Sequence, residues 1–212
     1  MKKSEPFVIT INRELGSGGR TVGRLLAEKL GVPFYDKALI KALQEKYNLT
    51  AEEIERLKGR KQSWWNDVER ILKIESGVSM DYYMPKKGDG PTLLTTEEMF
   101  KTETLILQDL AVKGSCVVAG RSGFHVFRYH PNHLSILIQA SMEFRMNRVA
   151  RKQNISEEEA RKIIEQVDKM RENYVNKYTG TSRYDTRNYQ LVISADDKTE
   201  EEIADLIVRY IG

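Results

Sequence analysis

The stretch Phe7-Val-Ile-Thr-Ile-Asn-Arg-Glu-Leu-Gly-Ser-Gly-Gly-Arg-Thr-Val-Gly-Arg-Leu-Leu-Ala-Glu-Lys-Leu-Gly31 decides how this chain folds. Phe7 to Ile11 is apolar or β-branched at every position, bounded by Pro6 and a polar turn, as in a strand buried on both faces. Glycines follow at 16, 18 and 19. After them Val22, Leu25, Leu26 and Leu30 share one helical face, while Arg24, Glu28 and Lys29 lie outside it. Gly31 stands where a helix ends in a left-handed residue, and Pro33 forbids its continuation. The order is strand, glycine turn, helix.

The same alternation runs down the chain. Val32 to Tyr35 is a short extended piece ending at Asp36, and a helix follows from about Lys37 to Tyr47. Thr50 with Glu53 reads as a capping box. From Thr95 or Thr96 a helix runs to about Lys113, stopped by Gly114. Cys116–Ala119 and Leu134–Gln139 are further buried strands, and Leu191–Ile193 is a fourth clear strand. Ser141 opens a basic helix, Ser156 with Glu159 caps the longest one, and Thr199 with Glu202 caps the last. Apolar strands separated by long helices imply βαβ units and a parallel sheet with helices on both faces, an α/β fold. Ligands of such sheets bind at the carboxyl ends of the strands. Arg13–Thr21, Asp36, Gly120–Gly123 and Ala140 share that edge.

Composition narrows the function classes. Hydrophobic residues make 40% and charged residues 31% of the 212, enough apolar material for one core. A formal charge of +3 gives no argument for a nucleic-acid or membrane partner. One cysteine, Cys116, forms no intrachain disulfide, and with three scattered histidines it offers no zinc cluster. His125, His130 and His133 read as structural. The apolar run at the N-terminus is too short for a signal peptide, and no stretch nears the roughly 20 apolar residues of a membrane span. The expected location is the cytoplasm. Oligomeric state is not legible.

Backbone N–H groups can hold phosphate oxygens where glycines let the chain wrap closely and a helix N-terminus adds its dipole. Gly16, Ser17, Gly18, Gly19, Arg20 and Thr21 are placed for that. The full phosphate-loop pattern, G-x-x-x-x-G-K-[ST], is matched by Gly19 and Thr21, with Glu14 at the first glycine and Arg20 at the lysine. Arg20 keeps the cation and adds a fork for two oxygens. Thr21 would place its hydroxyl on Mg²⁺. Glu14 would repel phosphates unless it faces away or meets a cation. The alternative is a glycine-rich turn that binds nothing.

The run Ile9 to Gly23, with Leu25–Gly31 and Pro33-Phe-Tyr-Asp36, resembles the cytidylate kinase-like family, a branch of the nucleoside monophosphate kinases. Val117-Val-Ala-Gly-Arg121, Asp168-x-x-Arg171-x-x-Tyr174 and Tyr189–Ile193 extend the resemblance over nearly the whole chain. It implies one P-loop NTPase-type domain over 1–212, with a mobile acceptor-side insertion at about 59–95 and lid-like helices at about 145–172. From composition alone the segment 59–95, with Trp64 and Trp65, is an insertion that moves or a packed subdomain. The resemblance further implies ATP and Mg²⁺ as cofactors and a small-molecule nucleotide as substrate, with CMP or dCMP the first guess.

The other site residues carry weaker local signals. Arg121, following a glycine at the sheet edge, is a candidate anion clamp or a surface arginine. The resemblance puts it on the monophosphate, although Ser122 stands where cytidylate kinases have an aspartate. Asp36 caps the helix at Lys37, contacts the monophosphate, or does both; Lys37 departs from the family serine. Arg145, Arg148 and Arg151 form a drifting basic stripe. By resemblance to lid arginines, Arg148 and Arg151 join Arg20 as catalytic candidates. Asp168 and Arg171 match a pair used around the acceptor nucleotide; otherwise they are an intrahelical ion pair. Two other readings stay open: a nucleotide-binding module without turnover, and a kinase of another small metabolite.

Overall fold

The computed structural model describes residues 1–2, 4–36 and 97–212. The readings for Lys37–Tyr47, Thr50/Glu53 and 59–95 lie outside the described residues. The chain divides into two compact units, Met1–Tyr35 with Ala111–Gly212, and Asp36–Leu110.

In the first unit β1 (Val8–Arg13) leads through the glycine loop into α1 (Gly19–Leu30). Then come β2 (Phe34–Tyr35), β3 (Cys116–Ala119), α2 (Gly123–Val126) and β4 (His133–Gln139). Next are α3 (Met142–Gln153), α4 (Glu157–Thr179), β5 (Leu191–Ser194) and α5 (Glu200–Ile211). The strands form one parallel sheet in the order β2-β3-β1-β4-β5. The second unit contributes most of a further helix, Glu97–Lys113, on which Ile106, Leu107 and Leu110 are buried. Among the described residues, no helix is long and apolar enough to cross a membrane.

Both faces of the sheet are covered at β1, β3 and β4, which is why these strands lack polar alternation, while Val192 and Ser194 of the edge strand β5 are exposed. On one face Ile9, Ile11, Ile136 and Ile138 pack with Val22 and Leu26 of α1 and Ile203, Ile207 and Ile211 of α5. On the other, Leu137 packs with Phe124, Val175 and Tyr189. This is the P-loop NTPase-type arrangement, with the glycine loop at the carboxyl end of the central strand.

The capping signals are realised. Ser156 with Glu159 and Thr199 with Glu202 form complete capping boxes, and Ser141 accepts from the Phe144 N–H. Gly31 closes α1 at φ 65°. Two boundaries differ from the sequence reading. β1 continues past Ile11 because Asn12 and Arg13 still pair with Leu137 and Ile138 of β4. Gly120–Gly123 does more than end a strand, since Gly123 begins the short helix α2.

His133 illustrates a structural histidine. Its Nε2 lies 2.8 Å from Thr10 Oγ1, and burial, then neighbouring His130, pushes its pKa down to about 4. The folded protein therefore binds fewer protons than the unfolded chain between about pH 4 and the unfolded value of about 6.5. Stability from this residue is present above pH 6.5 and is lost as pH falls through that window, about 3 kcal/mol at most. Thermal melts from pH 7 to pH 4.5 should show His133→Gln losing less midpoint temperature than the wild type. Equal slopes would remove His133 as a cause.

Candidate functional site

The loop between β1 and α1 is built for backbone exposure. Gly16 and Gly18 adopt φ of 87° and 83°, which L side chains rarely tolerate. Gly18 is the N-cap of α1, no side chain caps it, and the first turn carries no acid. Among the described residues, nothing accepts from the N–H groups of Gly18, Gly19 or Thr21. An uncapped helix start with its dipole is an anion site in waiting, so the chain's own residues fit a polyphosphate. Ser17 supports the loop from inside: it is 1% exposed, and its hydroxyl lies 3.0 Å from the Glu14 carbonyl and 3.1 Å from that of Ile138.

Glu14 meets a cation and a backbone donor. Its Oε2 accepts from the Ala140 N–H at 3.1 Å and lies 3.6 Å from Arg145 Nε. The carboxylate that looked awkward in sequence is tied to the end of β4 and to a buried cation.

The three arginines of the basic stripe have three different environments. Arg145, 6% exposed, donates to Asp168 Oδ2 at 2.7 Å. Arg148 pairs with Glu200 at the start of α5. Burial would raise the Glu200 carboxyl, but the hydrogen bond and charge of Arg148 outweigh it and hold it below the usual range. A Cβ at Gly18 would lie 3.1 Å from Glu200 Cγ and 3.5 Å from Arg148 Cζ, so this ion pair sits at the rim of the loop. Arg151 is exposed in the last turn of α3.

Asp168 is the hub of a charged cluster. Its Oδ1 accepts from the Leu15 N–H at 3.0 Å and from Arg171 at 3.3 Å, and stands 3.5 Å from Arg183 Nη1. Arg171 and Arg183 both donate to the Arg13 carbonyl. Asp168 and Arg171 thus meet the loop that leads to α1, a junction not legible in their spacing.

Arg121 follows β3 in a left-handed conformation, φ 53°, as does Ser122 at 52°. Backbone held there by non-glycine residues is strained, a feature concentrated at functional sites. The Arg121 guanidinium reaches the Tyr174 hydroxyl at 3.5 Å and covers its ring at 5.2 Å. Two motifs far apart in sequence are therefore joined. Asp36 directly follows β2, belongs to the second unit and is 4% exposed. Arg20 and Thr21 lie in the first turn of α1, each partly exposed. Sequence reasoning missed Arg183 and Glu200; no periodicity or motif marks either.

Comparison with known proteins agrees with this geometry. Residues 8–197 match the model of the cytidylate kinase-like family. A cytidylate kinase of Sulfolobus acidocaldarius is 25% identical over 96% of this chain and 93% of its own length. An S-adenosylmethionine-dependent nucleotide dehydratase of Lacinutrix mariniflava is also 25% identical, over 95% of this chain but only 35% of that longer protein. The crystal structure of an uncharacterized protein from Eubacterium ventriosum superposes with a TM-score of 0.67 at 22% identity, covering 97% of this chain and 98% of that one, which speaks for the fold. With its phosphate loop, parallel sheet and a family match spanning most of its length, the chain belongs to the cytidylate kinase-like family.

Proposed function

We propose that the protein is an ATP- and Mg²⁺-dependent kinase of a nucleoside monophosphate, with CMP or dCMP as the first acceptor. The observation that carries this is the uncapped start of α1 behind left-handed Gly16 and Gly18, with Arg148 at its rim. The family and the cytidylate kinase relative support phosphoryl transfer in general.

In this reading the amides of Gly18 to Thr21 hold the polyphosphate, and Arg20 offsets the charge that develops on the transferred group. Thr21 would offer its hydroxyl to Mg²⁺, which would supply charge to neutralise the phosphate oxygens. Arg148 and Arg151 close over the phosphates from α3, excluding water. Arg121 would take the acceptor, with Arg171 oriented by Asp168. No general base of unusual pKa is required, because positioning and electrostatics supply most of the rate.

A second reading is a nucleotide-binding module without turnover. It is favoured by Glu14 and Arg20 at the altered loop positions and by the likeness to part of a longer dehydratase. A coupled ADP-release assay with ATP, Mg²⁺ and a panel of CMP, dCMP, UMP, AMP and GMP separates the two. Turnover on CMP or dCMP supports the kinase. Tight ATP binding with no turnover on any acceptor supports the module, and a panel extended to small phosphorylatable metabolites tests a different acceptor.

A further inference from the structure

Arg183 lies between α4 and β5, and its side chain is wholly buried. Its Nη2 donates to the Arg13 carbonyl, and its Nη1 stands 3.5 Å from Asp168 Oδ1. Its backbone is fixed as well. The N–H donates to Glu172 Oε2 at 3.1 Å, and the carbonyl accepts from the Tyr189 hydroxyl at 2.6 Å. That hydroxyl in turn accepts from Asn12 at the end of β1. A guanidinium is always charged, and a charge taken out of water persists only where bonds compensate it. Here the compensating partners belong to the path into the glycine loop: the Arg13 carbonyl and, through Asp168, the Leu15 N–H. Arg145 completes the frame, with its Nη1 3.5 Å from the Leu15 carbonyl.

We propose that Arg183 is a positioning residue of the phosphate loop: with Asp168 it holds residues 13–15 in the shape that presents the start of α1 to an anion. The role rests on the phosphate-loop reading above and deepens it. Asp168 then acts mainly on the loop, through Leu15, and only indirectly on an acceptor, through Arg171.

Two variants test this. Arg183→Met keeps most of the volume and removes the donors, whereas Arg183→Lys keeps the charge with one donor group. Amide hydrogen exchange on the ligand-free protein reads the loop directly. Losing a charged hydrogen bond should speed exchange at Leu15 and Ser17, whose N–H groups donate to Asp168 and to the Glu14 carbonyl, about tenfold or more in Arg183→Met, with Arg183→Lys intermediate. Amides of Ile9 and Ile136 in the central strands should stay unchanged. In the assay the KM for ATP should rise about tenfold while the acceptor KM moves less than about twofold. Loop exchange at the wild-type rate overturns the proposal. So does a uniform acceleration of loop and core, which marks a merely structural residue, or a rise confined to the acceptor KM. If Arg183→Met does not fold, the same exchange pattern in Arg183→Lys decides. A wild type without turnover would sink the kinase reading alone; exchange and tripolyphosphate binding would still judge Arg183.

Discussion

Arg20→Ala is expected to lower kcat by about two to three orders of magnitude, the cost of removing one preorganised charge from a phosphoryl-transfer site. Arg20 occupies the position of the phosphate-loop lysine, in the first turn of α1, directly after the left-handed Gly18. Its side chain therefore leaves the helix turn whose amides would hold the polyphosphate. Arg20→Lys is the informative partner, because lysine restores the point charge but not the two-pronged donor geometry. It should recover part of the lost rate. Thermal midpoints should change little, since Arg20 is partly exposed and outside the packed core. The measurement is steady-state kinetics at saturating ATP and acceptor, with nucleotide affinity by calorimetry. An Arg20→Ala enzyme with wild-type kcat and ATP affinity would take this residue out of the site.

Gly16→Val should abolish nucleotide binding, weakening it by about a hundredfold or more, and should also lower stability. Two effects add. At φ 87° a β-branched side chain is strained, at about 1–3 kcal/mol. A Cβ at this position would also stand 2.9 Å from both Arg145 Cβ and the Arg145 carbonyl oxygen. Arg145 cannot yield cheaply, because it is buried and tied to Asp168 and Glu14. The loop must move instead, and overpacking of this kind typically costs about 1–3 kcal/mol more. Gly31→Ala is the control. Gly31 has φ 65°, but nothing lies within 4 Å of its added Cβ. That variant should lose about 1 kcal/mol of stability and no affinity. Calorimetric titration with a non-hydrolysable ATP analogue, beside thermal melts, reads both. A folded Gly16→Val protein that binds as tightly as wild type would show that the loop's shape is not what grips phosphate.

Much of the architecture was legible because its signals are local. Phe7–Ile11, Cys116–Ala119 and Leu134–Gln139 are mostly apolar runs, and they form the centre of the sheet. Ser156, Thr199 and Gly31 mark helix ends through bonds spanning three to five residues, so spacing alone reveals them. The glycine turn before α1 is legible for the same reason: its glycines sit at fixed offsets around one helix start.

Sequence by itself determined the parallel α/β framework, the place of the glycine loop within it and the residue types gathered at that helix start. Only the tertiary structure decided what Glu14 does, which arginine of the stripe is buried, and what holds the loop in place. Leu15 reaches its partner 153 positions away, and Arg13 meets Arg183 across 170. Such pairs leave no periodic trace, because folding sets the distance between their side chains while the chain between them is free to vary. A carboxylate or guanidinium looks the same in sequence whether water or a buried countercharge will surround it, and that surrounding fixes its role.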